Sequence, residues 1–160
     1  MENTKPFVGR KIDKSTIINL EKGKIPPQAV DLEEVVLGAM MIDKKGVDEV
    51  IDILHPDVFY KDAHRFIYEA IFILFEESQP VDLLTVSSQL KKSGKLEVCG
   101  GDFYLIKLTQ KVASSAHIEF HARIILQKYI QRSLIKISGE IIEEAYDEAT
   151  DVFDLLDTAE

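Results

Sequence analysis

The stretch from Ala116 to Tyr146 contains no proline and one glycine, Gly139, and it constrains the fold more than any other part of the chain. Its pattern predicts one continuous helix, opened by Ser115 as N-cap and roughly 45 Å long at 1.5 Å per residue. Its apolar residues fall into three stripes. Ile118, Ala122, Ile125 and Tyr129 make the first. The second is Leu126, Ile130, Leu134, Ile137, Ile141 and Ala145, and the third is Ile124, Ile135, Ile142 and Tyr146. A helix apolar on every side is buried on every side. A small globule cannot surround one this long, so other protein must cover part of it. Residues 147–150 read as a tight connection, and Asp151 as the cap of another helix bearing Val152, Phe153, Leu155, Leu156 and Ala159. That pattern reaches Glu160 without a glycine or other terminator, so the expectation is a helical hairpin whose second arm is cut short.

The remaining sequence fits one compact helical body. Of 160 residues, 46% are apolar, enough for a core, yet no uninterrupted apolar run approaches the roughly 18 residues a membrane span requires. The N-terminus lacks the apolar region of a secretory signal. A lone cysteine, Cys99, cannot form an internal disulfide, and it suits a reducing cytoplasm and a packing role. The formal charge of −9 is uneven. Residues 1–24 carry Lys5, Arg10, Lys11, Lys14, Lys22 and Lys24 against Glu2, Asp13 and Glu21, so the rest of the chain is the more acidic. Such a body repels phosphate and should bind DNA weakly if at all, and the basic segment reads as a disordered, solvated tail.

Pro26-Pro27 marks entry to the fold. Asp31 is the expected cap of a first helix to about Ile42, with Glu34 at capping-box spacing. A short second helix is expected over 47–54, ended by His55-Pro56. Asp62 opens a third, to about Glu77, whose Phe66, Ile67, Ala70, Ile71, Leu74 and Phe75 make it the expected central helix. Asp82 caps a fourth, Leu83 to Lys92, and Gly100-Gly101 precede a fifth that turns Tyr104, Leu105 and Leu108 inward. Strand patterns are almost absent. The fold class is all-α, a compact helical globule at 25–113 followed by the truncated hairpin at 114–160.

Chemistry-bearing residues are few. His117 and His121 share a helix face, as metal ligands do, but no third ligand completes a site. His64 could serve as a general base, although no nucleophile stands at a readable spacing, and a packed or capping role fits it better. The pairs Glu33-Glu34, Glu76-Glu77 and Glu143-Glu144 diverge by about 100° on a helix and read as solvated faces or a helix-start bias. Asp102 beside Gly100-Gly101 disfavours phosphate there, and no nucleotide-binding glycine motif occurs. No catalytic residue, cofactor site or metal site is assigned.

Several segments resemble the N-terminal domain of DnaB-type replicative helicases. They are Pro26-Pro27 with L-E-E-V-V-L-G (Leu32 to Gly38) and Asp43, then Phe59-Tyr60 and H-R-F-I-Y (His64 to Tyr68). Next come P-V-D-L-L-T (Pro80 to Thr85), S-G-K-L (Ser93 to Leu96) and G-G-D-F-Y-L (Gly100 to Leu105). S-S-A-H-I, Arg132 to Ile135 and D-L-L-D-T-A-E (Asp154 to Glu160) complete the series, which spans about residues 25–160. The family usually has asparagine at the place of His117 and tyrosine at that of Phe120.

The resemblance implies hairpins that pair between subunits of a hexamer to form a collar, which also receives the C-terminal domain of DnaG-type primase. Loader proteins are further partners. It places ATP, Mg and DNA translocation in a RecA-like domain absent from this chain, which would itself hydrolyse nothing. The third stripe supplies the candidate interface, Ile124, Ile135 and Ile142 with Tyr146, to which neighbouring Ile141 is added. The competing reading packs these residues only against the Asp151 helix. Two other functions compete: a free-standing helical adaptor unrelated to replication, and a small metal-dependent hydrolase using His117 and His121.

Overall fold

A computed structural model describes residues 24–112 and 115–160. All but Lys24 of the expected basic tail lies outside them. Among the described residues there are seven α-helices, one 3-10 turn and no strand. The helices are α1 (Val30–Ile42), α2 (Lys44–Val50), α3 (Asp62–Glu76), α4 (Leu83–Lys92), α5 (Gly101–Gln110), α6 (Ile118–Ala145) and α7 (Val152–Ala159), with the 3-10 turn at Pro56–Val58. The chain divides into two compact units, one spanning Pro27–Gln131, the other including Arg132–Glu160. The first runs past the boundary expected near residue 113, because Ile118, Ala122 and Ile125 of α6 are buried in its core.

The central helix of that unit is α1, not the expected third helix. Six consecutive residues, Val36 to Met41, are buried, whereas α3 leaves Ile73 and Phe75 partly exposed. Packing on all sides of α1 requires a close approach, and Gly38 supplies it: a Cβ there would collide with the carbonyl of Leu108 and lie 2.7 Å from Cγ2 of Val112. The α3 helix is amphipathic, burying Ile67, Tyr68, Ala70, Ile71 and Leu74. Tyr68 packs its ring 5.1 Å from that of Phe59 and donates its hydroxyl to the Leu54 carbonyl at 2.8 Å.

The helix ends show which expected caps are used. Asp82 is one, accepting from the Thr85 N–H at 2.9 Å while the Thr85 hydroxyl oxygen accepts from the Asp82 N–H. Asp31 is not a cap. The helix starts one residue earlier, at Val30, with Ala29 in the cap position and no side-chain cap bond, so Asp31 lies in the first turn. Asp62 is likewise the first helical residue instead of the cap, which is Lys61, and it pairs with Arg65 at 3.5 Å. Ser115 donates its hydroxyl to Asp43 Oδ2 at 3.0 Å, and α6 begins three residues later. The second helix lies upstream of its expected span because Asp43 caps it, accepting from the Lys45 N–H at 3.0 Å. Val47, Val50, Ile51 and Leu54 are nonetheless all buried. His55 takes the extended backbone imposed by Pro56.

Gly100 has φ +94° and Gly101 φ +71°. The Gly101 N–H returns to the Leu96 carbonyl at 2.9 Å, closing the turn before α5. A Cβ on Gly100 would meet Cβ of Tyr104 at 2.9 Å, so this glycine lets α5 start close against its own turn.

Candidate interaction surface

Ideal helix geometry sets the three stripes of α6 about 120° apart. The first is used inside the compact unit: Ile118, Ala122 and Ile125 are buried, and Tyr129 packs edge-on against His55 with ring centroids 5.1 Å apart. Beyond Gln131 no residue of α6 or α7 is buried. Ile135 is 47% exposed, Ile142 44% and Tyr146 57%, while Ile124 and Ile141 are half-buried.

The second stripe is as open as the third. Leu134 is 57% exposed, and Ile130 and Ile137 lie in the same range. On α7, Asp151 caps the helix by accepting from the N–H groups of Phe153 and Asp154, yet Val152, Phe153 and Leu156 all face solvent. Within Arg132–Glu160, then, α7 does not bury the third stripe. Leu134, Ile137, Val152, Phe153 and Leu156, which are not among the candidate interface residues, are exposed apolar residues as well. The signal was there, because a helix apolar on three faces has two left over once one is packed.

A polar feature lies inside the globule. Glu33 and Glu34, expected on a solvated face, are both buried. Their divergence on α1 is what makes this workable. Glu33 accepts from His64 Nδ1 at 2.8 Å and from the Tyr60 N–H at 2.9 Å. Glu34 pairs with Lys111 and reaches the Tyr104 hydroxyl at 3.4 Å. His64, fully buried, completes the set through Nε2, 2.6 Å from that hydroxyl. It is a packed, hydrogen-bonded histidine.

Burial raises the pKa of Glu34, but the Lys111 bond and the charges of Lys111, His64 and Lys61 outweigh it, leaving it below the ordinary value. Burial pushes the Cys99 thiol up to about 11, which fits packing and disfavours reactivity. His117 is exposed and His121 half-buried. Among the described residues no group of three or more His, Cys, Asp or Glu is placed to hold a metal ion. No described helix is long and apolar enough to cross a membrane.

Residues 25–127 match the family described as the DnaB-like helicase N terminal domain. The chain belongs to that family. DnaB relatives agree. The replicative DNA helicase DnaB of Rhodothermus marinus is 45% identical over 143 residues, covering 89% of this chain and 15% of the relative. The replicative DNA helicase DnaC of Bacillus subtilis is 37% identical over 142 residues, 89% of this chain and 31% of the relative. The chain thus spans less than a third of either. The crystal structure of the DnaB N-terminal domain from Mycobacterium tuberculosis superposes with a TM-score of 0.80 at 33% identity, covering 84% of this chain and 95% of that one. The Helicobacter pylori DnaB N-terminal domain, whose structure was described with its interactions with primase, shares the fold at TM-score 0.64 and 22% identity, over 73% and 91% of the two chains. The all-α fold expected from the sequence is the fold of this family.

Proposed function

We propose that this chain is the oligomerisation and primase-docking module of a hexameric replicative DNA helicase. One observation carries the reading: the apolar surface of α6 and α7 beyond Gln131 is open to solvent. Exposed surface of this kind marks a protein-interaction site. Other subunits of the same helicase cover part of it, and the C-terminal domain of a DnaG-type primase docks on the rest. A helicase loader is a further partner. The Helicobacter pylori relative, described together with primase, supports the assignment by analogy of fold.

In the parent protein, ATP and Mg belong to a separate RecA-like motor domain that unwinds DNA in the cytoplasm. The present chain contributes contacts and no hydrolysis. Its acidic body gives duplex DNA little to bind, since affinity for phosphates rests on Lys and Arg. Neither a metal-dependent hydrolase nor an adaptor outside replication is supported by the family match.

Titration of the chain with a cognate primase C-terminal domain, followed by calorimetry, tests the docking half. Saturable binding is expected, and Ile135→Asp is expected to weaken it at least about tenfold, the equivalent of about 1.4 kcal/mol. Binding unaffected by that substitution, or absent at high micromolar concentration, would overturn the proposal.

A further inference from the structure

The interaction surface makes no use of the polar chain buried in the globule, in which Glu33 and Glu34 come from α1, His64 from α3, Tyr104 from α5 and Lys111 from just after α5. Hydrogen-bond bookkeeping fixes where its protons sit. The Glu33 carboxylate only accepts, and it takes the Tyr60 N–H on Oε2 and His64 Nδ1 on Oε1. Nδ1 therefore carries a hydrogen. In neutral His64 the other nitrogen, Nε2, is then an acceptor, and the Tyr104 hydroxyl donates to it across 2.6 Å. With its one hydrogen so engaged, Tyr104 cannot also donate to Glu34 Oε1, which lies 3.4 Å away.

Adding a proton at Nε2 reverses this. The new N–H donates to the Tyr104 oxygen, and the freed hydroxyl hydrogen turns to Glu34. Every donor has an acceptor in both states, as a histidine that is 0% exposed requires. We propose that the Glu33–His64–Tyr104–Glu34 chain is a built-in proton relay: one proton taken from solvent at His64 Nε2 swings the Tyr104 hydroxyl from His64 to Glu34 and adds a bond between α5 and α1. No covalent bond changes other than the new N–H, and the globule gains one positive charge beside the Glu33 carboxylate.

Charged groups of both signs face His64 and Tyr104. Glu33 and Glu34 from α1 attract the new charge. Lys61, before α3, opposes it with its Nζ 5.9 Å from the centroid of the Tyr104 ring, as does Lys111, although Lys111 is paired with Glu34. Cys99, on the turn before α5, is engaged with the Ala63 carbonyl at 3.6 Å. Burial and the neighbouring Glu34 raise the Tyr104 pKa, so its hydroxyl keeps the hydrogen the relay needs.

The test is 15N NMR of the histidine imidazoles in this chain, followed from mildly alkaline to mildly acidic pH. Neutral His64 is expected to carry its hydrogen on Nδ1 and to gain a second on Nε2 with the fold intact. In Tyr104→Phe the imidazolium loses its acceptor, so the titration midpoint should fall by at least about half a pH unit, about threefold in proton affinity. Glu34→Gln keeps Tyr104 and should lower the midpoint by less. If Tyr104→Phe does not fold, the wild-type tautomer and Glu34→Gln decide. A neutral His64 protonated on Nε2 overturns the relay, as does a midpoint unmoved by the variant that folds. So does a His64 that stays neutral until the globule unfolds.

Discussion

Gly38 lies where α1 passes the C-terminal end of α5, and a methyl group there meets the Leu108 carbonyl, which is backbone and cannot swing aside. Gly38→Ala is accordingly expected to lower stability by about 1–3 kcal/mol, seen as a lower urea midpoint at unchanged slope. Glu34 gives a pH-dependent counterpart. Its pKa lies below the ordinary value of 4.5, so its contribution is full above that value and is lost as pH falls through the lower, folded-state value. Glu34→Gln should therefore unfold at lower urea than the wild type at pH 7, and the two midpoints should converge once the pH falls below the folded-state pKa of Glu34. A difference that persists in acid would show that the carboxylate charge is not what Glu34 contributes. Neither residue's role was legible in the sequence. Glu33 and Glu34 look like an ordinary acidic helix start, and only the tertiary placement of His64, Tyr104 and Lys111 makes their burial affordable.

The seven helices follow from periodicity, and most of the ends follow from local chemistry. Asp82 with Thr85 could be read directly, because a capping box is a contact between residues three apart. Asp82→Ala is expected to destabilise the globule by about 1 kcal/mol in thermal or urea unfolding, while Asp31→Ala, which removes no cap bond, should cost less. Asp31 looks like a cap because an acidic residue in the first turn has the same sequence signature as one, whereas Asp62 does open its helix, with Lys61 in the cap position. The bond from Ser115 to Asp43 has no sequence signature, because the two residues are distant in the chain. The third helix looked central because its apolar residues are large. In fact α1, with small residues such as Gly38 and Ala39, is the one that can be approached from every side.

At the scale of the molecule the governing fact is an imbalance of apolar surface. The unit Pro27–Gln131 has a continuous core that absorbs the first stripe of α6. Residues 132–160 have none of their own: Leu134, Ile135, Ile137, Ile142, Tyr146, Val152, Phe153 and Leu156 are all exposed. That this stretch carries more apolar surface than the globule hides was legible from three apolar stripes on one helix. Which stripes stay open was not, because it depends on the side of α6 that meets the globule. Sedimentation velocity over a wide concentration range, on the wild type and on a Leu134→Asp, Ile135→Asp double variant, tests the claim most directly. The wild type is expected to associate reversibly as concentration rises, and the variant to remain monomeric with unchanged helical circular dichroism. A wild type that stays monomeric at all concentrations and also fails to bind primase, or a variant that associates as strongly as the wild type, would contradict it.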